Sequence, residues 1–274
     1  MNFFLCPLCG QPLHRELHSY LCPKGHCYDI AAAGYAHLLP VGRKHSKSPG
    51  DDKGMALARK KFLSNGYYNH LMEGLLGLFQ ENTGAEPVIF DSGCGEGYYT
   101  AGIFHGLTAK GKKPKMAGVD LSKHSLRWAA KRAPEVAFAV ASSYHLPVAD
   151  ATVDLLLNCF SPLAIEEFHR VIKPGGKFFY VVPAPQHLWE LKAVLYPTPY
   201  LNEEKQIPYD GFCYQEIRRV ERRIHLPDQE TIRNLFQMTP YYWKTPLEGK
   251  KKLEQLSTLD VQTAFDIHVF TREN

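Results

Sequence analysis

The chain has 274 residues, 45% hydrophobic and 22% charged. That is the composition of an ordinary globular protein, and it excludes a collagen-like, coiled-coil or wholly disordered chain. The length suggests about two structural units. The net charge of +4 is mild but unevenly placed: Arg43 to Lys61 holds seven basic residues against Asp51 and Asp52, a local +5, so the remainder sums to −1. A polyanion partner needs such a segment, and a solvated linker with a charged helix face would also contain it. No apolar run approaches the ~20 residues that span a bilayer, so no membrane partner is expected. The N-terminus lacks the basic and long apolar regions of a secretory signal. The cytoplasm is therefore the default compartment, and the seven cysteines point to metal binding, catalysis or burial rather than to disulfides.

Cysteine density is highest at the start, with Cys6, Cys9, Cys22 and Cys27 in the first tenth of the chain. The first ~38 residues are turn-rich and show no long helical period. Gly42 to Gly54 reads as a linker. Helical patterns follow over Met55 to Leu63 and Tyr67 to Phe79. Short apolar runs then alternate with helical stretches. Strands are predicted at Val88–Phe90, Met116–Val119, Val136–Val140, Val153–Asn158 and Lys177–Val182. The intervening helices are Tyr98–Leu107, Ser122–Arg132 and Ala164–Val171, the last stopping near Pro174-Gly175-Gly176. Such alternation predicts an α/β fold, a parallel sheet with helices on both faces. Beyond Pro183 the pattern loosens to helices at Gln186–Leu195 and Asp228–Met238 and a final strand at Val261–Thr271.

Cys6-x2-Cys9 and Cys22-x3-His26 have the spacing of two zinc knuckles, with Gly10 and Gly25 suited to their tight turns. A unit this small buries little core, and a metal would supply the missing stability. Four protein ligands leave no position for water, so the one zinc is expected to be structural. Cys22-x4-Cys27 is an alternative second knuckle.

Asp91-Ser92-Gly93-Cys94-Gly95-Glu96-Gly97 follows the first strand of the α/β region and opens a helix, where a doubly wound sheet binds its ligand. The Gly-x-Gly-x-Gly spacing is tighter than a dinucleotide fingerprint. It resembles the first motif of class I S-adenosylmethionine-dependent methyltransferases. Asp120 ends the second strand, where a carboxylate can accept from both ribose hydroxyls. Ser142 and Ser143 stand where the adenine edge would lie, and Lys173-Pro174-Gly175-Gly176 also fits that class. Taken singly, Asp91 and Asp120 could instead be helix caps, and the glycines could serve only the turn.

A Cys-Pro-Leu-Cys and Cys-Pro-x-x-His ribbon joined to this Rossmann-like sheet resembles the RlmA family, across nearly the whole chain. Further carriers include Ser48-Pro49-Gly50-Asp51, Ala58-Arg59 with Phe62-Leu63, Gly66-Tyr67-Tyr68, Gln186-His187-Leu188 and Phe265-Asp266-Ile267-His268. The resemblance implies a zinc-binding unit at 1–40, a basic linker with helices at 41–84 and a methyltransferase unit at 85–274. It implies zinc on Cys6, Cys9, Cys22 and His26. Around S-adenosylmethionine it implies Tyr68, Asp91, Gly93, Gly95, Gly97, Tyr98, Tyr99, Thr100, Asp120 and His187. Ser92 departs from the pattern where an aliphatic residue is usual, and Cys27 is an additional thiol.

The implied reaction is methylation of N1 of a guanine in a hairpin loop of 23S ribosomal RNA, with a homodimer left open. N1 lies on the pairing edge, so the base must be unpaired or flipped, and an aromatic plane is the usual support. Tyr35, Tyr67, Phe160 and Trp189 are available, although most aromatic residues are core. No residue is singled out as the proton acceptor: His187 is expected beside the cofactor, and Glu166 and Glu167 read as a solvated helix face. The zinc lobe and Arg43–Lys61 are expected to clamp the hairpin. The competing readings are a small-molecule methyltransferase with the ribbon as a lid, and a non-catalytic binding module.

Overall fold

The computed structural model describes residues 3–40, 52–204 and 208–274. Strands β1 (His14–Arg15), β2 (Ser19–Leu21) and β3 (Cys27–Asp29) form a small antiparallel sheet. The α/β region follows as β5 (Val88–Ser92), α3 (Tyr98–Ala109), β6 (Lys115–Asp120), α4 (Lys123–Arg132), β7 (Ala137–Val140), β8 (Val153–Cys159), α5 (Ile165–Val171) and β9 (Ile172–Pro183). Before it come β4 (Tyr35–His37), α1 (Lys53–Ser64) and α2 (Asn69–Glu81). After it come α6 (Trp189–Leu195), β10 (Phe212–Leu226), α7 (Gln229–Gln237), α8 (Tyr241–Lys244), α9 (Leu247–Glu254) and β11 (Leu259–Arg272).

The large sheet has the order β10-β11-β9-β8-β5-β6-β7-β4. The strands from β4 to β9 run parallel, and β11 is antiparallel to both β9 and β10. From β5 the chain winds outward through β6 and β7, then returns past β5 to β8 and β9. The ends of β5, β6 and β8 therefore border a topological switch, where open α/β sheets hold ligands. β4 is the surprise at the edge. It leaves the cysteine-rich lobe and pairs in parallel with β7, so that lobe is hydrogen-bonded into the sheet.

A parallel sheet must be covered on both faces. In β5, Ile89 enters one buried cluster and Phe90 the other. The first cluster is roofed by α1 to α4, α6 and α7, through residues such as Phe62, Leu75, Ile103, Leu126, Leu191 and Ile232. On the opposite face Phe168 and Val171 come from α5, but no helix links β7 to β8. There Leu146 and Val148 share a cluster with Phe4, Leu13 and Tyr20 of the N-terminal lobe. The Leu5 amide also donates to the Pro147 carbonyl at 2.8 Å. The lobe thus covers the face that a crossover helix would otherwise cover. Burying a side chain the size of Phe4 or Leu13 contributes ~2 kcal/mol.

α1 and α2 lie within two residues of their predicted bounds, and the Asp52 carboxylate caps α1 by accepting from the Met55 amide at 2.9 Å. Besides β4, α8 and α9, which the sequence pattern does not show, three elements differ from expectation. β9 begins at Ile172 rather than Lys177, because the Pro-Gly-Gly run sits at a register shift against β8 instead of ending a loop. α6 begins at Trp189, since Leu188 takes a left-handed backbone that ends the preceding turn. β10 escapes the sequence pattern entirely. It is an edge strand paired only with β11, and its charged residues, among them Arg218, Arg219 and Arg222, hide the alternation. No helix among the described residues is long and apolar enough to cross a membrane.

Gly97 opens α3 with φ +80°, and a Cβ there would lie 2.8 Å from the Ala129 Cα of α4. Neither the backbone conformation nor that contact can relax cheaply. Gly97→Ala is expected to lower stability by ~2 kcal/mol or more, read as a reduced urea midpoint at unchanged slope.

Candidate functional site

In the N-terminal lobe each knuckle closes on a glycine. The Gly10 amide donates to the Cys6 carbonyl at 2.8 Å and the Gly25 amide to the Cys22 carbonyl at 2.9 Å, both with positive φ. The turns bring the ligand atoms of Cys6, Cys9, Cys22 and His26 within 4.8 Å of one another. Sγ of Cys9 and Cys22 are 3.8 Å apart, and His26 Nδ1 lies 3.4 and 3.3 Å from the sulfurs of Cys6 and Cys22. Zinc bond lengths in a tetrahedron give about 3.8 Å between sulfurs and about 3.6 Å between sulfur and nitrogen, so these donors fit that ion. The Tyr28 hydroxyl reaches Cys6 Sγ at 3.1 Å and supports it as a thiolate. Burial raises the Cys6 pKa, but this hydroxyl and the Leu8 and Cys9 amides bring it down to about 6. Cys27 is exposed at the start of β3 and outside the cluster, so the alternative second knuckle does not form.

At the switch point lies a cavity of about 700 Å³. Its floor is the glycine loop. A Cβ on Gly95 would meet no protein atom within 4 Å, so the loop leaves room for a ligand to approach its backbone. Gly93 is bare for another reason: its Cβ would fall 1.9 Å from Ser161 Oγ, in the loop after β8. Tyr68, Asp91, Tyr98, Tyr99, Asp120 and His187 also line the cavity, as do Gly93 and Gly95. Gly97 and Thr100 stand behind the wall. Gly97 starts α3, and the Thr100 hydroxyl donates to Asp91 Oδ2 at 2.5 Å.

Neither acidic residue is a helix cap. Gly97 caps α3, and Ser122 caps α4. Asp120 instead ties β6 to the glycine loop, accepting from the Gly95 amide at 3.0 Å and the Ser122 amide at 2.7 Å. A carboxylate has about four acceptor sites, so capacity remains for two ribose hydroxyls. Asp91 keeps Oδ1 buried with no protein partner. Burial, with the Asp120 charge adding to it and the Thr100 bond opposing, pushes its pKa up to about 7. Sequence reasoning missed Glu96, because a charge between two loop glycines reads as exposed. It is buried, its Oε2 accepts from Arg132 at 2.6 Å, and its Oε1 has no partner. Burial raises its pKa to about 7 against the pull of Arg132. Three carboxylates in one cavity suit a cationic ligand, as a sulfonium with an ammonium group is.

His187 Nδ1 accepts the Ala264 amide at 3.2 Å. A backbone amide can only donate, so the ring proton sits on Nε2. Burial, together with the Lys192 charge, lowers its pKa to about 3, and the ring stays neutral. It is therefore a fixed donor and not a base. Ser142 and Ser143 line the cavity, and Ser92 donates to Ser143 Oγ at 2.9 Å. The departure at Ser92 thus joins β5 to the wall after β7. Glu167 is not solvated; it accepts from Arg170 and from the Leu146 amide.

The basic segment is only partly described. Arg43, Lys44 and Lys47, with Ser48–Asp51, lie outside the described residues. Of the remainder, Lys53 and Lys61 are exposed, while Arg59 and Lys60 are partly buried. Arg59 lines the cavity beside Met55 and Leu63 on one face of α1, donating to the Met238 carbonyl at 3.2 Å. Lys60 Nζ lies 5.3 Å from the Trp128 ring centroid, and Lys61 pairs with Glu230 at 2.7 Å. On α1, Arg59 thus serves the cavity and Lys60 packs on α4, while Lys53 and Lys61 stay on the exposed side.

A family model described as the RlmA N-terminal zinc ribbon matches residues 4–47, and a methyltransferase-domain model matches 89–176. A Micromonospora griseorubida protein assigned as a 23S rRNA (guanine-N1)-methyltransferase is 36% identical over 206 residues, covering 68% of this chain and 67% of that one. The 23S rRNA (guanine(748)-N1)-methyltransferase of Streptomyces fradiae is 33% identical, covering 93% and 91%. The YcgJ protein of Bacillus subtilis, at 17% identity and a TM-score of 0.51 over 73% of this chain and 98% of that one, shares the fold.

One zinc per chain is expected by elemental analysis, lost in Cys22→Ser and kept in Cys27→Ser. Because the lobe shares a cluster with the sheet, chelation should lower the Tm of the whole chain rather than melt the lobe alone. A second prediction follows from the cavity carboxylates. A cationic ligand favours their ionised forms, so binding near pH 7 should release protons from Asp91 and Glu96. Affinity for S-adenosylmethionine should then rise as pH goes from 6 to 8. Calorimetry in buffers of different ionisation enthalpy measures this, and proton uptake would contradict it.

Proposed function

The chain belongs to the RlmA family of 23S rRNA (guanine-N1)-methyltransferases, and from this we propose that it methylates N1 of a guanine presented by a hairpin loop of 23S rRNA, using S-adenosylmethionine. The observation that carries the reading is a likeness to the Streptomyces fradiae enzyme over 93% of the chain, beside the RlmA zinc-ribbon match at residues 4–47. A cavity of about 700 Å³ has room for a cofactor and one base but not for a hairpin. The guanine must therefore enter alone, unpaired or flipped. Large-subunit RNA as substrate also assigns the work to the cytoplasm.

When bound, S-adenosylmethionine supplies a methyl group on a positively charged sulfur, open to in-line attack. The chain's own residues then align, hold and exclude water. Asp120 would accept from the ribose, Ser142 and Ser143 would meet the adenine edge, and Asp91 would face the ammonium end. Gly93, Gly95 and the Gly97–Thr100 turn, with Tyr68, complete the cradle. His187, lining the cavity, would donate from Nε2 to a bound acceptor. N1 of guanine carries a proton that must leave as the new bond forms. Glu96 lines the same cavity with a carboxylate oxygen that has no protein partner, and is the candidate acceptor.

The test is to incubate the protein with methyl-labelled cofactor and large-subunit rRNA lacking this modification, then map the label. N1-methylguanine at one loop position is expected. Label on small molecules but not on rRNA would favour the small-molecule reading instead.

A further inference from the structure

A base delivered into the cavity needs a rigid plane to lie on. Of the aromatic residues the sequence offered, Tyr35 lies in β4 and Tyr67 is stacked on Phe62 at 4.7 Å between ring centroids. Trp189 does not line the cavity. Phe160 does, and its side is 48% exposed. It directly follows β8, at the switch point, in the loop that presses Ser161 onto Gly93.

The backbone of Phe160 has φ +53°. A bulky residue in that region is an outlier, and such strain persists only where surroundings over-determine it. Here they do. The Phe160 amide donates to the Val181 carbonyl at 3.2 Å. Asn158 is fully buried, and its Nδ2 donates to the Ser92 and Pro162 carbonyls at 3.3 and 3.2 Å. Behind the ring stands Phe265 at 5.6 Å, itself 4.6 Å from His187 and 4.8 Å from Tyr68 between centroids. The loop is thus locked, strained and backed by packed rings, yet it holds an apolar plane open to solvent. Tyr144 and Trp243 also reach the cavity, from a turn and from the four-residue α8, but neither has a left-handed backbone.

We propose that Phe160 is the stacking platform for the guanine that receives the methyl group. This rests on the RNA-methylation reading above. The strained backbone aims the ring, and the anchors to Ser92 and Gly93 fix it relative to the glycine loop that cradles the methyl donor. Stacking tolerates any aromatic plane but not an aliphatic side chain of similar size.

The experiment compares Phe160→Leu, Phe160→Gly, Phe160→Tyr and Phe160→Trp with wild type. Single-turnover methylation of large-subunit rRNA is followed at saturating RNA. S-adenosylhomocysteine binding is measured by calorimetry, and folding by thermal melts. The Leu and Gly variants should methylate on the order of 10- to 100-fold more slowly. The Tyr and Trp variants should stay within a few-fold of wild type. S-adenosylhomocysteine affinity should change little throughout, as should RNA affinity, which phosphate contacts dominate. Glycine relieves the left-handed backbone, so the melting temperature of Phe160→Gly should not fall below wild type by more than a few degrees. A Leu variant as fast as wild type would overturn the platform while leaving the RNA reading intact. Parallel loss of S-adenosylhomocysteine binding would place Phe160 in the cofactor wall instead. If wild type itself leaves rRNA unmethylated, the substrate reading fails and the platform with it.

Discussion

Parallel strands cannot be left facing water, and the way this chain meets that constraint shapes the rest of the molecule. The strands β5 to β9 carry apolar residues on both faces. Helices cover one face. The other has α5 at one side and, at the other, no helix between β7 and β8. Phe4, Leu13 and Tyr20 cover that ground, from a lobe too small to hold itself together by burial alone. Four ligands on one metal make the lobe rigid enough to act as the missing layer. The zinc is then part of the sheet's cover as much as it is part of a separate unit.

Charge inside the cavity follows a second logic. Asp91, Glu96 and Asp120 are each desolvated, which disfavours their ionised forms. Arg132 and Arg59 offset part of that cost from α4 and α1. The balance leaves acceptor oxygens of Asp91 and Glu96 unpartnered among the described residues. A neutral ligand would gain little there. A ligand carrying positive charge drives these groups to their ionised forms, at positions already fixed by folding. His187 is kept out of this balance by burial and the nearby Lys192 charge, which keep it neutral, and by the Ala264 amide, which fixes its tautomer.

Much of this was legible from residue order alone. The two knuckles, the glycine loop and Asp120 each rest on local spacing, and local spacing survives folding. What was not legible depended on distant partners. β10 is masked because an edge strand carries charges on the face that would otherwise alternate. Arg59, Lys60 and Lys61 are contiguous cations, and a run of cations reads as solvent-facing. Their roles come from Met238, Trp128 and Glu230, which lie up to 179 positions away. Glu96 was hidden by its glycine neighbours, and its burial follows from the closure of α4 over the loop through Arg132. The strain at Phe160 has no sequence signature, since nothing in Cys-Phe-Ser-Pro announces a left-handed backbone.

The two ends of the molecule are joined by one short segment. Residues 141–148 leave β7, line the cavity at Ser142 and Ser143, and then pass under the zinc lobe at Leu146 to Val148. Ser92 grips this segment through Ser143, Leu5 grips it through the Pro147 carbonyl, and Glu167 grips it through the Leu146 amide. The wall assigned to the adenine edge is thus clamped from the glycine-loop strand, from the metal lobe and from α5. With no crossover helix to stiffen it, those clamps are what set its position. A lobe that had evolved only as a lid or an RNA arm would not need to hold this segment. Here the metal-held lobe supports the cavity wall from below, which explains why β4 is hydrogen-bonded into the large sheet rather than tethered beside it.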